Sequence, residues 1–183
     1  MSKVYCMLAD GCEEVEALSV VDVLRRAGID TPLVSIMKRL EIVGSHDIHI
    51  IADAMIEDVD MDDADMIFLP GGIPGTPNLK ANTLLCEKLV EYNANGKLLA
   101  AVCAAPSILG ELGLLEGKKA TCYPGFESKL LGAVAVGDRV VTDGNITTSR
   151  GLGTSLELGF RIVEVLKSKE EADDIARKVQ FIC

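Results

Sequence analysis

The chain has 183 residues, 49% of them hydrophobic and none of them Trp, which suits a single domain over residues 1–183 with an aliphatic core. A formal charge of −10 excludes a nucleic-acid surface, because phosphate binding needs clustered Lys and Arg. No apolar run reaches the roughly 18–20 residues of a membrane helix, and no leader pattern is seen, so a cytoplasmic protein with no membrane partner is expected.

Residues 4–9 read as a buried strand that ends at the turn Asp10-Gly11. Val15, Leu18, Val21 or Val23, and Leu24 then recur at helical spacing, and Gly28 closes that helix behind Arg25 and Arg26. A second strand is expected at 32–37, a short hairpin at 41–51 and a third buried strand at 66–69, broken by Pro70-Gly71-Gly72. One amphipathic helix over 78–92 ends at Asn95-Gly96. An apolar strand then runs into Cys103, followed by a helix starting near Ala104, a strand at 119–122 and short strands at 133–136, 140–142 and 146–148. Helices over 154–167 and 169–178 complete the chain. Apolar strands alternating with helices predict an α/β fold, a doubly wound and mostly parallel sheet with helices on both faces.

In such sheets, sites form beyond the carboxyl ends of the strands. Three turns there are polar, Gly-rich or small: residues 10–16, 70–75 and the bend at Cys103. Leu98 to Leu109 has the form of a nucleophile elbow, with a strand ending at Cys103 and the small Ala104-Ala105 leading into a helix. A helix N-terminus at the sulfur favours thiolate, so a lowered Cys103 pKa is expected. Glu13 and Glu14 suit a helix start, whereas Glu16 can turn toward the rim, and a protonated Glu16 donating to the sulfur would stabilise the thiolate. The two glycines after the third strand, Gly71 and Gly72, expose backbone N–H groups that with the N–H of Ala104 can form an oxyanion hole, unless the segment is only a turn.

Other chemistries fit poorly. His46 and His49 lie three apart in the hairpin, so they face opposite sides and form neither a paired metal site nor a Cys-His protease triad at the rim. No loop matches a phosphate-binding pattern, so no cofactor is expected. The acidic run 57–65 lacks the Gly and Glu of a calcium loop and reads as a solvated connection. Six cysteines without CxxC spacing imply no zinc site and no disulfide framework. Cys6 and Cys86 read as inert, Cys183 as terminal, and Cys12 as a loop thiol that is either a resolving partner or a bystander.

Five ordered segments carry a family resemblance: 11–16 (GCEEVE), 22–29 (DVLRRAGI), 68–72 (FLPGG), 101–106 (AVCAAP) and 148–154 (TSRGLGT). Across nearly its whole length the chain resembles the ThiJ/PfpI superfamily, in the branch of the parkinsonism-associated protein deglycase. The resemblance implies a flavodoxin-like homodimer with Cys103 as oxidisable nucleophile, Glu16 as its protonated partner, and the amides of Gly72 and Ala104 as oxyanion donors. Members are described as cofactor-independent glyoxalases, protein deglycases, peroxide sensors and chaperones. Three positions depart from the pattern. Ala104 replaces the His of protease-like members, Tyr123 stands where the branch often has a histidine, and His46 where it often has an arginine. Arg150 is retained, in a packing or dimer-contact role. The implied activity is a glyoxalase or deglycase acting on methylglyoxal-like α-oxoaldehydes or their thiol and amine adducts. A non-enzymatic redox sensor or chaperone would use the same cysteine.

Overall fold

The computed structural model describes residues 2–181. Its central strand, β1 (Val4–Leu8), is buried throughout, as a strand packed on both faces must be. On one side of it lie β2 (Leu33–Ser35) and β5 (Ala54–Met55). On the other come β6 (Met66–Leu69), β7 (Leu98–Val102), β11 (Ile146–Ser149) and β10 (Val140–Asp143). All neighbours in this seven-stranded sheet pair parallel except β10 with β11 at the edge. The chain leaves β1 toward one edge and returns through β6 toward the other. That reversal opens a crevice at the carboxyl end of β1 and β6.

Side chains alternate along β1: Val4, Cys6 and Leu8 join one core, and Tyr5 and Met7 the other. The first core is covered by α1 (Glu14–Arg26), α5 (Ser155–Leu166) and α6 (Lys169–Lys178). The second is covered by α2 (Gly75–Ala81), α3 (Thr83–Ala94) and α4 (Pro106–Glu111). Helix α5 comes close enough to α1 that a Cβ on Gly159 would lie 2.9 Å from Val23 Cβ. Among the described residues, no helix is long and apolar enough to cross a membrane.

Several expectations change here. Val15 and Leu18 of α1 are 45% and 39% exposed, while Glu14 and Glu16 are buried, so the helix is rotated from the apolar stripe read in the sequence. The single helix over 78–92 is two, because Asn82 leaves helical geometry and its side chain accepts from Leu85 N at 2.9 Å to start α3. The expected strand 119–122 shrinks to β8 (Lys119–Ala120), which pairs only with β9 (Val134–Ala135), outside the main sheet. The hairpin forms as read, with β3 (Glu41–Val43) antiparallel to β4 (His49–Ile51). The acidic run becomes two 3₁₀ turns, with Asp62 and Asp63 paired to Lys88 and Lys3. The five described cysteines are free, and Cys183 lies outside the described residues.

Candidate active site

Cys103 sits directly after β7 with φ of +63°, the left-handed region that a side chain adopts only at a cost of about 1 kcal/mol or more. The neighbours hold it there. Its N–H donates to Ser149 O at 3.0 Å, and its carbonyl accepts from Tyr123 N at 2.8 Å. The helix beyond starts at Pro106 rather than near Ala104 and is only six residues long, so its dipole is weaker than the sequence reading assumed. The N–H groups that face the sulfur are those of Ala104 and Gly72, the pair expected as oxyanion donors.

Glu16 arrives from the first turn of α1. Glu13 Oε2 accepts from Glu16 N at 2.6 Å, capping the helix and fixing its phase. The Glu16 side chain is thereby turned inward, 1% exposed, with Oε2 accepting from Gly71 N at 3.0 Å and a hydrogen bond to the Cys103 thiol. Gly71 is obligatory at this point: a Cβ there would lie 2.6 Å from both Cys103 Cβ and Glu16 Oε2. The far wall is Gly151, where a Cβ would stand 3.6 Å from Glu16 Oε1 and 3.9 Å from Cys103 Sγ. The sequence reading made Gly71 an oxyanion donor alongside Gly72, but its N–H is spent on Glu16 instead, and it gave Gly151 no role in the site. The doubled glycine after β6 is the signal that pointed to the first.

Burial raises the Glu16 carboxyl to about 7, with the nearby Glu13 charge adding to it, against the hydrogen bonds from Cys103 and Gly71. Burial also pushes the Cys103 thiol up to about 12, reinforced by the Glu16 carboxylate, while Ala104 and Gly72 pull it down. The expected lowering by a helix N-terminus is therefore overturned, because enclosure and an adjoining carboxylate outweigh two backbone donors. Two groups in contact cannot both ionise, so the pair keeps at least one proton, and it gains its single negative charge as the first proton leaves near pH 7. Charge can move to sulfur only as the proton moves to Glu16.

The remaining expected residues divide. Tyr123 is half-exposed, stacks edge-on with Phe126 at 6.4 Å, and joins Arg150 and Gly151 around a cavity of about 290 Å³ that Cys103 itself does not line. Arg150 reaches Gly137 O at 3.4 Å. His46 corrects the sequence reading, since it lies in the hairpin turn against the start of α1 rather than on a strand away from the rim. Its N–H donates to Glu14 Oε1 at 2.7 Å and its Nδ1 lies 3.1 Å from Glu14 Oε2. Glu13, Glu14 and His46 bring one ligand-type atom each within 4.8 Å of one another, a cluster the sequence spacing did not suggest. Cys12 is fully buried and its thiol is raised to about 12, first by burial, which suits a bystander rather than a resolving thiol.

Proteins similar to this chain in sequence and in fold are numerous. The chain is 44% identical over 177 residues to Protein DJ-1 homolog B of Arabidopsis thaliana, covering 95% of this chain but 40% of that protein. It is 36% identical over 173 residues to Protein dj-1beta of Drosophila melanogaster, covering 93% and 92% of the two chains. The chain thus spans less than half the length of its plant relatives. The structure of oxidised DJ-1 from Toxoplasma gondii matches with a TM-score of 0.95 at 35% identity over 98% of both chains. A sequence profile described as the DJ-1/PfpI family matches residues 2–165, and this chain belongs to that family.

Proposed function

We propose that the protein is a cysteine-dependent, cofactor-independent enzyme that converts methylglyoxal-like α-oxoaldehydes, free or as adducts, to 2-hydroxy acids in stress defence. The observation that carries this reading is a buried carboxyl, raised to about 7, hydrogen-bonded to a strained cysteine between two backbone donors. As Cys103 sulfur bonds the aldehyde carbon, its proton passes to Glu16 and on to the new alkoxide, giving a hemithioacetal. The N–H groups of Gly72 and Ala104 stabilise that oxygen while it is charged. Glu16, again a carboxylate, removes the proton from the former aldehyde carbon, and the resulting enediol is reprotonated at the ketone carbon. The product is a thioester, and water hydrolyses it to the hydroxy acid and the free thiol. The sum is α-oxoaldehyde plus water to 2-hydroxy acid, an internal redox in which the aldehyde carbon is oxidised as the ketone carbon is reduced, so no external oxidant is needed.

A second reading has its own support: Cys103 is partly exposed while Cys6, Cys12 and Cys122 are buried, and Cys86, also partly exposed, lies on α3 away from Glu16 and the two backbone donors. Two equivalents of peroxide would take its thiol to sulfinate with release of water, and Glu16 would hydrogen-bond the product. Exposed Val15, Leu18, Ile48 and Ile51 on α1 and the hairpin also favour a homodimer, which sedimentation would reveal as twice the chain mass. The deciding experiment is lactate formation from methylglyoxal by chelator-treated protein. Cys103→Ala should lose about 10³-fold or more in kcat/KM with its thermal midpoint retained. An active Cys103→Ala protein, or an inactive wild type that forms sulfinate at Cys103, would overturn the enzymatic reading.

A further inference from the structure

The side chains of residues 149–155 take no part in the proposed chemistry, yet their backbone touches both groups that carry it. Ser149 ends β11 beside Val102, and its carbonyl accepts from Cys103 N at 3.0 Å. Gly151 follows as the far wall, where a Cβ would stand 3.6 Å from Glu16 Oε1 and 3.9 Å from Cys103 Sγ. The next amide, that of Leu152, donates to the Glu16 carboxyl. A 3₁₀ turn (Leu152–Thr154) then leads into α5.

A cluster of buried hydroxyls fixes this loop. Ser149, Thr154 and Ser155 are all buried. Thr154 Oγ1 accepts from Gly151 N at 3.1 Å and donates to Gly151 O at 2.9 Å, so it grips Gly151 from both sides. Ser155 Oγ adds a second donor to Gly151 O at 3.2 Å. Thr154 Oγ1 also lies 2.6 Å from Ser149 Oγ, which donates to Arg139 O at 3.0 Å. The wall that faces Glu16 is thus tied to the strand end that holds Cys103. Valine at position 154 keeps the shape of threonine but removes all three contacts, and leaves the buried Gly151 N–H without its acceptor.

We propose that Thr154 is a positioning residue for proton transfer: by gripping Gly151 it keeps the Leu152 amide on the Glu16 carboxyl, in register with the Cys103 backbone held by Ser149. The proposal rests on the reading that Glu16 and Cys103 exchange a proton. Burial and the Glu13 charge raise the Glu16 carboxyl, and the donors Cys103, Gly71 and Leu152 pull it back to about 7. Tyr123 presents a ring carbon, Cδ2, to Gly151. Withdrawing the Leu152 amide destabilises the carboxylate, so the first proton leaves the Cys103–Glu16 pair at higher pH.

Alkylation of Cys103 by iodoacetamide, read by peptide mass spectrometry across roughly pH 5 to 9, reports that first ionisation without any aldehyde chemistry. Wild type should show a rising limb near pH 7. In Thr154→Val the limb should move up by about one pH unit, which slows alkylation roughly tenfold on its acid side. Thr154→Ser, which keeps the hydroxyl, should restore the wild-type limb. Added to Glu16→Gln, Thr154→Val should shift nothing, because the group it acts through is gone. Ser149→Ala removes only the Ser149 contacts and should give a smaller upward shift, and it carries the test where Thr154→Val does not fold. An unmoved limb in folded Thr154→Val or, without that fold, in Ser149→Ala overturns the role. So does a shift that Thr154→Ser fails to rescue, or one that is equal in the Glu16→Gln background. Methylglyoxal turnover by the same proteins separates the two readings. Lactate formation without the shift removes Thr154 and leaves the enzyme, whereas the shift in a protein that forms no lactate removes the enzymatic reading and leaves Thr154 holding the pair.

Discussion

Glu14 and Glu16 stand two residues apart on the first turn of α1, both almost fully buried, and their acidities move in opposite directions. Burial pushes both up. At Glu14 it is overcome by hydrogen bonds from the hairpin, chiefly the His46 backbone and side chain, so this carboxyl is held down at about 2. At Glu16 the donors are fewer, one of them a thiol, and the carboxyl rises to about 7. Richer donor supply at Glu14 and deeper enclosure of Glu16 together decide which glutamate stays charged. One therefore anchors the hairpin and the other is free to exchange a proton near neutral pH.

The largest test of this contrast is Glu16→Gln. It keeps a hydrogen-bond donor but moves no proton, so methylglyoxal turnover should fall by roughly 10²–10⁴-fold. Its stability should change in the opposite sense. A carboxyl raised in the folded state contributes stability that is fully present below about pH 4.5 and lost as pH rises through about 7. Between pH 4 and pH 8 the wild type should lose on the order of 2–3 kcal/mol in urea melts, a loss absent from Glu16→Gln. Wild-type turnover in Glu16→Gln would remove Glu16 from the proton path.

Glu14→Gln should leave chemistry largely alone and cost about 1–3 kcal/mol at pH 7, since it strips charge from hydrogen bonds that the hairpin turn directs at it. Because Glu14 is depressed, its contribution is present above about pH 4.5 and disappears as pH falls through about 2. The gap between wild type and variant should close in acid, and a gap independent of pH would contradict the assignment.

The smallest effect belongs to His46→Ala. Its hydrogen bond to Glu14, then the Glu14 charge, raises the imidazole, so its contribution is present below about pH 6.5 and fades as pH climbs through the raised value. Exchange protection of the turn amides near Gly44 and Ser45 should fall in this variant below pH 6.5 and match wild type in alkali. Unchanged protection at all pH values would show that the backbone contacts alone hold the hairpin.

What the sequence determined by itself is local and periodic. Buried strands at 4–8, 66–69 and 98–102 show as apolar runs bounded by turn residues, and they fix the sheet and its carboxyl rim. Cys103, Glu16 and Ala104 were candidates for the same reason, each standing at a strand end or a helix start, whereas the choice of Gly72 over Gly71 came from the family resemblance and not from the local pattern. Tertiary structure decided the rest. Helix α1 is rotated because the Glu13 cap and the Glu14 and Glu16 partners outweigh the apolar spacing of Val15 and Leu18. His46 meets Glu14 across 32 positions of sequence, which no local pattern encodes. The Cys103 thiol is raised rather than lowered because acidity depends on solvent exclusion and on charges brought from other elements, and those exist only once the chain has folded.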